Sequence, residues 1–225
     1  GLHGEIARLP WTVTAVDDVS ITARVNTVSP SWQVKRTVAM TDVGFTLHTE
    51  AVNTSEASLL CSYGEHPCFA RDVFAGGRID LAASAAFVPT PQEDPVRAKF
   101  LPTGAIAWPR LATRDGSWSD ADRIPEVADG RLDHVSLTLA APRISLYAPR
   151  LDGHLDLVVQ LQELPHALLW ERFGRSAKQW NADVFAVEPS SAPGRTVDDA
   201  VSAGALRSVA PGQSVTFGTE VEWSR

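Results

Sequence analysis

Residues 43–53 read VGFTLHTEAVN, and the alternation inside this stretch decides the fold class. Val43, Phe45, Leu47 and Ala51 fall on one side of an extended chain, while Thr46, His48 and Glu50 fall on the other. A strand with one face on a core and the other in water needs this period of two. Residues 20–26, SITARVN, repeat it with Ile21, Ala23 and Val25. HVSLTLA (134–140), RISLYAP (143–149) and HLDLVVQLQ (154–162) form a third group, and SVTFGTEVEW (214–223) closes the series. Pro, Gly, Asp and Asn punctuate these runs, so an all-β chain of stacked antiparallel sheets is expected. The best helical signal is TVDDAVSAG (196–204), a short turn of helix that should stop at Gly204. Residues 87–129 hold six prolines and two tryptophans, and predict long loops with interrupted strands. No fixed-period repeat, low-complexity tract or linker breaks the pattern, which points to a single domain over residues 1–225.

Composition narrows the function. With 225 residues and 44% hydrophobic content, the chain can bury one substantial core. A net charge of −7 argues against nucleic acid and against an anionic membrane, both of which attract basic surfaces. No apolar run approaches the roughly 20 residues that span a bilayer. No basic stretch followed by an apolar one marks a secretory signal, so the cytoplasm is the expected location. The chain begins at Gly1, consistent with an upstream segment removed or left out. Cys61 and Cys68 are too few for a disulfide scaffold, and the expectation is two free, largely buried thiols.

Four stretches could carry chemistry. GLHGEIARLPW (1–11) sets His3 beside a glycine, ahead of Arg8 and Trp11. GEHPCF (64–69) fixes His66 before Pro67, which biases the histidine toward extended backbone and so restrains its side chain. GRLDHVSL (130–137) contains Asp133 and His134. In FAVEPSSAPG (185–194), Glu188 ends a short apolar run and is followed by Pro189. A carboxylate placed there is partly desolvated, which raises its pKa toward the range of a general base. Histidine titrates near neutrality and is the usual proton donor or acceptor. Taken one at a time, each of these residues is more often structural: a glutamate at a strand rim, a histidine satisfied in a turn.

Their order along the chain carries more. LHG (2–4) with RLPW (8–11), HPCF (66–69), PTG (102–104), LDHV (132–135), AVEPSS (186–191) and VAPGQS (209–214) together resemble the aldose 1-epimerase, or galactose mutarotase-like, family. The resemblance implies a supersandwich of antiparallel sheets with a sugar bound over one of them. It implies Glu188 as the base that takes the proton of the anomeric hydroxyl and His66 as the acid that protonates the ring oxygen. His3 and Asp133 would bind sugar hydroxyls. No cofactor and no metal is expected, and no nucleotide-binding or metalloprotease motif is present to suggest one.

Further residues are candidates beside those motifs. Trp11, Trp170 and Trp180 could stack on a sugar face, and Trp11 is preferred because it follows the HG element. Arg8 and Arg71 lie next to the two histidine motifs and suit a phosphorylated sugar, since arginine pairs with phosphate bidentately. Cys68 and Ser136 stand where the family favours aromatic residues, and the chain opens at the HG element without the strands that precede it in the family. Those departures motivate a second reading, a sugar-binding or regulatory domain of the same fold with weak turnover or none, and an exposed edge that favours a homodimer. A third reading takes His3, His66 and Asp133 or Glu188 as metal ligands.

Overall fold

The structure, a computed structural model, describes residues 4–90, 92–174 and 182–225. The first strands are β1 (Thr12–Val16), β2 (Ser20–Asn26), β3 (Trp32–Met40) and β4 (Gly44–Asn53), each antiparallel to the next. Then come β5 (Leu59–Cys61), β6 (Cys68–Ala70), β7 (Ile79–Val88), β8 (Thr103–Ile106), β9 (Arg110–Ala112) and β10 (Trp118–Asp120). The second half contains β11 (Leu132–Ala148), β12 (Gly153–Val159), β13 (His166–Arg172), β14 (Val184–Ser190), the helix α1 (Val197–Ser202), β15 (Arg207–Val209) and β16 (Ser214–Ser224). Twelve strands join one antiparallel sheet, whose main path is β1-β2-β3-β4-β16-β12-β11-β13-β14-β6, with β7 also on β11 and β8 on β7. The all-β expectation holds.

β2 begins and ends where the SITARVN pattern predicts, and β4 covers residues 44–53 of the deciding stretch. The helix also forms as expected. Thr196 caps it, its hydroxyl accepting from the Asp199 amide at 3.2 Å while the Asp199 carboxylate accepts from the Thr196 amide at 2.9 Å. Such a reciprocal cap satisfies two amides that the first turn would leave bare. Gly204, in the left-handed region at φ +63°, ends it.

One prediction is corrected. HVSLTLA and RISLYAP are not two strands but the two halves of β11, which runs 17 residues through Pro142. Its first half pairs with β13 through Thr138, and its second half pairs with β12 from Arg143 on. Residues 139–142 fall between these ladders, and the β7 pairing shifts register there too. A proline lacks the N–H a ladder needs, so it is tolerated where two partners hand over.

The core lies on one face of β7, β11, β12, β13 and β14. Val135 and Leu137 of β11, Leu169 of β13, and Phe185 and Val187 of β14 are all at most 1% exposed. Each such side chain contributes about 1.5–3 kcal/mol by leaving water. Phe100, Leu111 and Ile124, from the proline-rich segment between β7 and β11, cover this layer. The opposite face of the same strands is free to carry polar side chains. The sheet also curls round on itself: Arg36 of β3, far from β14 in strand order, forms an ion pair at 2.8 Å with Glu65, which lies along the β14 edge.

Candidate functional site

β14 and the segment 64–70 build the site together. β6 pairs with β14 from Val184 to Ala186, and Gly64 bridges Ser190 at the other end. Between these two contacts the chain bulges, and His66 and Pro67 occupy the bulge. The Glu65 amide still donates to Pro189 O at 2.9 Å, which ties the start of the bulge to the strand. Gly64 is required for this approach, because a Cβ there would sit 2.5 Å from Pro189 O.

Period two then selects what lines the outer face. Glu188 pairs with Leu168, which pairs with Ser136; Ala186 pairs with Trp170, which pairs with His134. Glu188, Trp170 and His134 therefore share a face, whereas Val187, Leu169 and Val135 share the core. His66 reaches over from the bulge, with Nε2 3.3 Å from Glu188 Oε1 and Nδ1 3.3 Å from Cys68 Sγ. Its ring meets the Trp170 indole edge-on at 5.9 Å. The imidazole is 32% exposed and the carboxylate 15%, so the pair lies at a surface without being dissolved in it.

Burial sets the electrostatics. It pushes Glu188 from the ordinary 4.5 up to about 8, because the ionised form has lost water. His134 moves the other way, down to about 3, through burial first and then the positive charges of Arg195 and His66. It is a neutral imidazole at any ordinary pH. Glu93 completes the face: its carboxylate accepts from Trp170 Nε1 at 3.2 Å and lies 3.9 Å from His134 Nε2 and 3.8 Å from Arg172 Nη1. Gln92 carries it there, since the Gln92 amide exchanges hydrogen bonds with the His134 backbone like a short extra strand.

The predicted residues separate into groups. His66 and Glu188 are brought together. Asp133 is not with them: it is 0% exposed and on the core face, where its carboxylate accepts from the Lys99 and Phe100 amides at 2.9–3.1 Å. One step of pleat separates it from His134, which does face the site. Arg71 is likewise apart from them. Its guanidinium is consumed by Asp183 at 2.8 Å and by the carbonyls of Pro125 and Glu126. Arg8 is exposed in the turn before β1, and Trp11 donates its indole N–H to Ile6 O at 3.1 Å. His3 and Trp180 lie outside the described residues. Cys61 and Cys68 are free thiols, but Cys68 is exposed beside His66 rather than buried.

Trp170 takes the aromatic position that the sequence reading preferred to give Trp11. The sequence reading named His134 beside Asp133 but gave it no role, and it missed Glu93 and Arg172. For Arg172 a signal existed: it stands two residues after Trp170 in HALLWER, but the apolar run 167–169 hides the alternation. Nothing local marks Glu93. Among the described residues, no group of three or more His, Cys, Asp or Glu side chains is arranged to hold a metal ion.

No protein-family model and no curated protein matches the chain. Solved structures do. A proposed aldose 1-epimerase from Escherichia coli K12 superposes with a TM-score of 0.71 at 16% identity, covering 99% of this chain and 71% of that one. A galactose mutarotase-related enzyme from Lactobacillus acidophilus gives 0.67 at 16%, covering 100% and 74%. A galactose mutarotase-like protein from Clostridium acetobutylicum gives 0.68 at 14%, covering 99% and 69%. At such identities the likeness is one of fold, and the chain has the galactose mutarotase-like sandwich fold.

Proposed function

We propose that the chain is a cofactor-independent aldose 1-epimerase that interconverts the anomers of a free hexose by acid–base ring opening. The observation that supports this best is the contact between His66 and Glu188, an imidazole and a desolvated carboxyl 3.3 Å apart on an aromatic-lined face. The two groups need not stand a whole pyranose apart. Ring opening needs less space, because the hydroxyl and ring oxygens involved are bonded to the same anomeric carbon and lie closer together than any hydrogen-bonded pair. An acid and a base that touch in the absence of sugar need only part slightly to reach both oxygens.

In the proposed cycle Glu188 takes the proton of the C1 hydroxyl and His66 Nε2–H gives one to the ring oxygen. The C1–ring oxygen bond breaks, C1 becomes a carbonyl, the C1–C2 bond rotates, and the reverse proton transfers close the ring with the opposite configuration. A carboxyl raised to about 8 can hold or release a proton near neutrality. Trp170 offers an apolar face to the sugar's C–H groups, and Glu93 fixes the indole's orientation.

Polarimetry of freshly dissolved α-glucose and α-galactose tests this. The protein is expected to accelerate mutarotation, with Glu188→Gln and His66→Asn each lowering kcat by about 10²-fold or more while the fold persists. Sugar binding without acceleration over buffer would select the binding-domain reading instead, which Cys68 beside the acid favours through its departure from the family pattern.

A further inference from the structure

A cleft of about 380 Å³ lies on the other side of the β11–β13 layer from the His66–Glu188 pair. Its relation to the layer follows from Lys99, whose amide binds the core-facing Asp133, and from Arg131, which donates at 2.8 Å to the core-facing Glu171. The cleft gathers four cations from separate parts of the chain: Lys99 from the segment before β8, Arg110 from β9, Arg123 from the loop after β10, and Arg131 from just before β11.

These cations are not equally compensated. Arg131 is, being 5% exposed and held by Glu171, the Arg123 carbonyl and Asp129. Lys99 Nζ donates to the Ser119 hydroxyl at 2.9 Å and lies 5.8 Å from the Phe100 ring centroid, and among the described residues neither Lys99 nor Arg110 has a carboxylate within ion-pair distance. For Arg123 the carboxylate is Asp122, at 3.8 Å, with the guanidinium 59% exposed. The lining carries four cations against two carboxylates, Asp120, which stands opposite Arg110 in the β9–β10 ladder, and Asp129, which pairs with Arg131. An excess of positive charge therefore converges on one hollow and favours a bound anion. The hollow is larger than an inorganic anion needs, and Trp118, 60% exposed, presents its indole at the wall. Asp120 and Asp129, also in the lining, can accept from hydroxyl groups.

We propose that this cleft binds a small phosphate ester, with Lys99, Arg110 and Arg123 on the phosphate and Trp118 against the organic part. Phosphate suits the arrangement because guanidinium groups bind it in pairs of parallel hydrogen bonds. The site is independent of the proposed ring-opening chemistry and would stand if that chemistry failed.

Calorimetric titration of the whole protein at low ionic strength tests it, with glucose 6-phosphate, adenosine monophosphate, inorganic phosphate and neutral glucose as probes. One or both esters are expected to saturate a single site that is unchanged in Glu188→Gln. That binding should weaken about tenfold or more in the double variant Arg110→Ser, Arg123→Ser and with added salt, while glucose binding and mutarotation stay as in the wild type. Trp118→Ala should weaken the esters and leave inorganic phosphate unaffected. Both arginines are exposed, so the double variant keeps its fold, which an unchanged melting curve verifies. No ester binding at millimolar concentration, or ester binding that the double variant leaves intact, overturns the proposal. Inorganic phosphate bound as tightly as either ester overturns the assignment of an ester.

Discussion

At Glu188 stability and the proposed chemistry pull in opposite directions. Its carboxyl titrates near 8 in the folded chain and near 4.5 in the unfolded one. Between those values the unfolded chain sheds a proton that the folded chain keeps, so stability is lost as pH rises through this window and levels off above about pH 8. Glu188→Gln removes the effect. Thermal or urea unfolding should find the variant about 1–3 kcal/mol more stable than wild type at pH 8, with the difference vanishing near pH 4. Equal pH dependence in the two proteins would show that Glu188 is not desolvated. The same shift governs activity: a base must be ionised, so kcat/KM should rise with pH along a limb centred near 8. A limb centred near 4.5 would contradict the assignment. Asp133 and His134 teach a related lesson. Neighbours in sequence, they face opposite sides of β11, and only the pleat decides which one shares a face with Glu188.

At the scale of elements, the site depends on how the 64–70 segment lies along β14. The Gly64–Ser190 bridge and the β6 ladder hold the two ends of a bulge that aims His66 at Glu188. Gly64→Ala puts a methyl 2.5 Å from Pro189 O and must push the segment off the strand. Chemical denaturation should show a loss of about 1–3 kcal/mol, the usual cost of overpacking, together with a drop in kcat larger than any change in KM. Unchanged turnover would mean the bulge does not position His66. A second restraint comes from across the curled sheet, where Glu65 is 4% exposed and paired to Arg36, which also donates to Thr49 of β4 at 2.9 Å. Neither restraint is legible in GEHPCF alone, because both depend on strands remote in sequence.

At the scale of the whole molecule, β1 is the open end of the main strand path among the described residues, and all five of its residues are exposed, with Val13 at 57% and Val16 at 67%. An unpaired edge with apolar side chains is a template for another strand. Concentration-dependent dimerisation is therefore expected, with a Lys substitution at Val13 shifting sedimentation toward monomer; a wild-type monomer throughout the micromolar range would rule it out. No helix among the described residues is long and apolar enough to cross a membrane.

The amino-acid sequence by itself determined the strands and the short capped helix, because alternation, turn residues and caps act within a few residues of one another. It also marked His66 and Glu188, each held by a following proline in a recognisable run. The tertiary structure alone decided that the two touch, that Trp170 and Glu93 join them while Asp133 and Arg71 do not, and that four cations share a cleft on the other side of the layer. Those facts depend on strand register and on how the sheet curls, and both are settled by packing between segments distant in the chain.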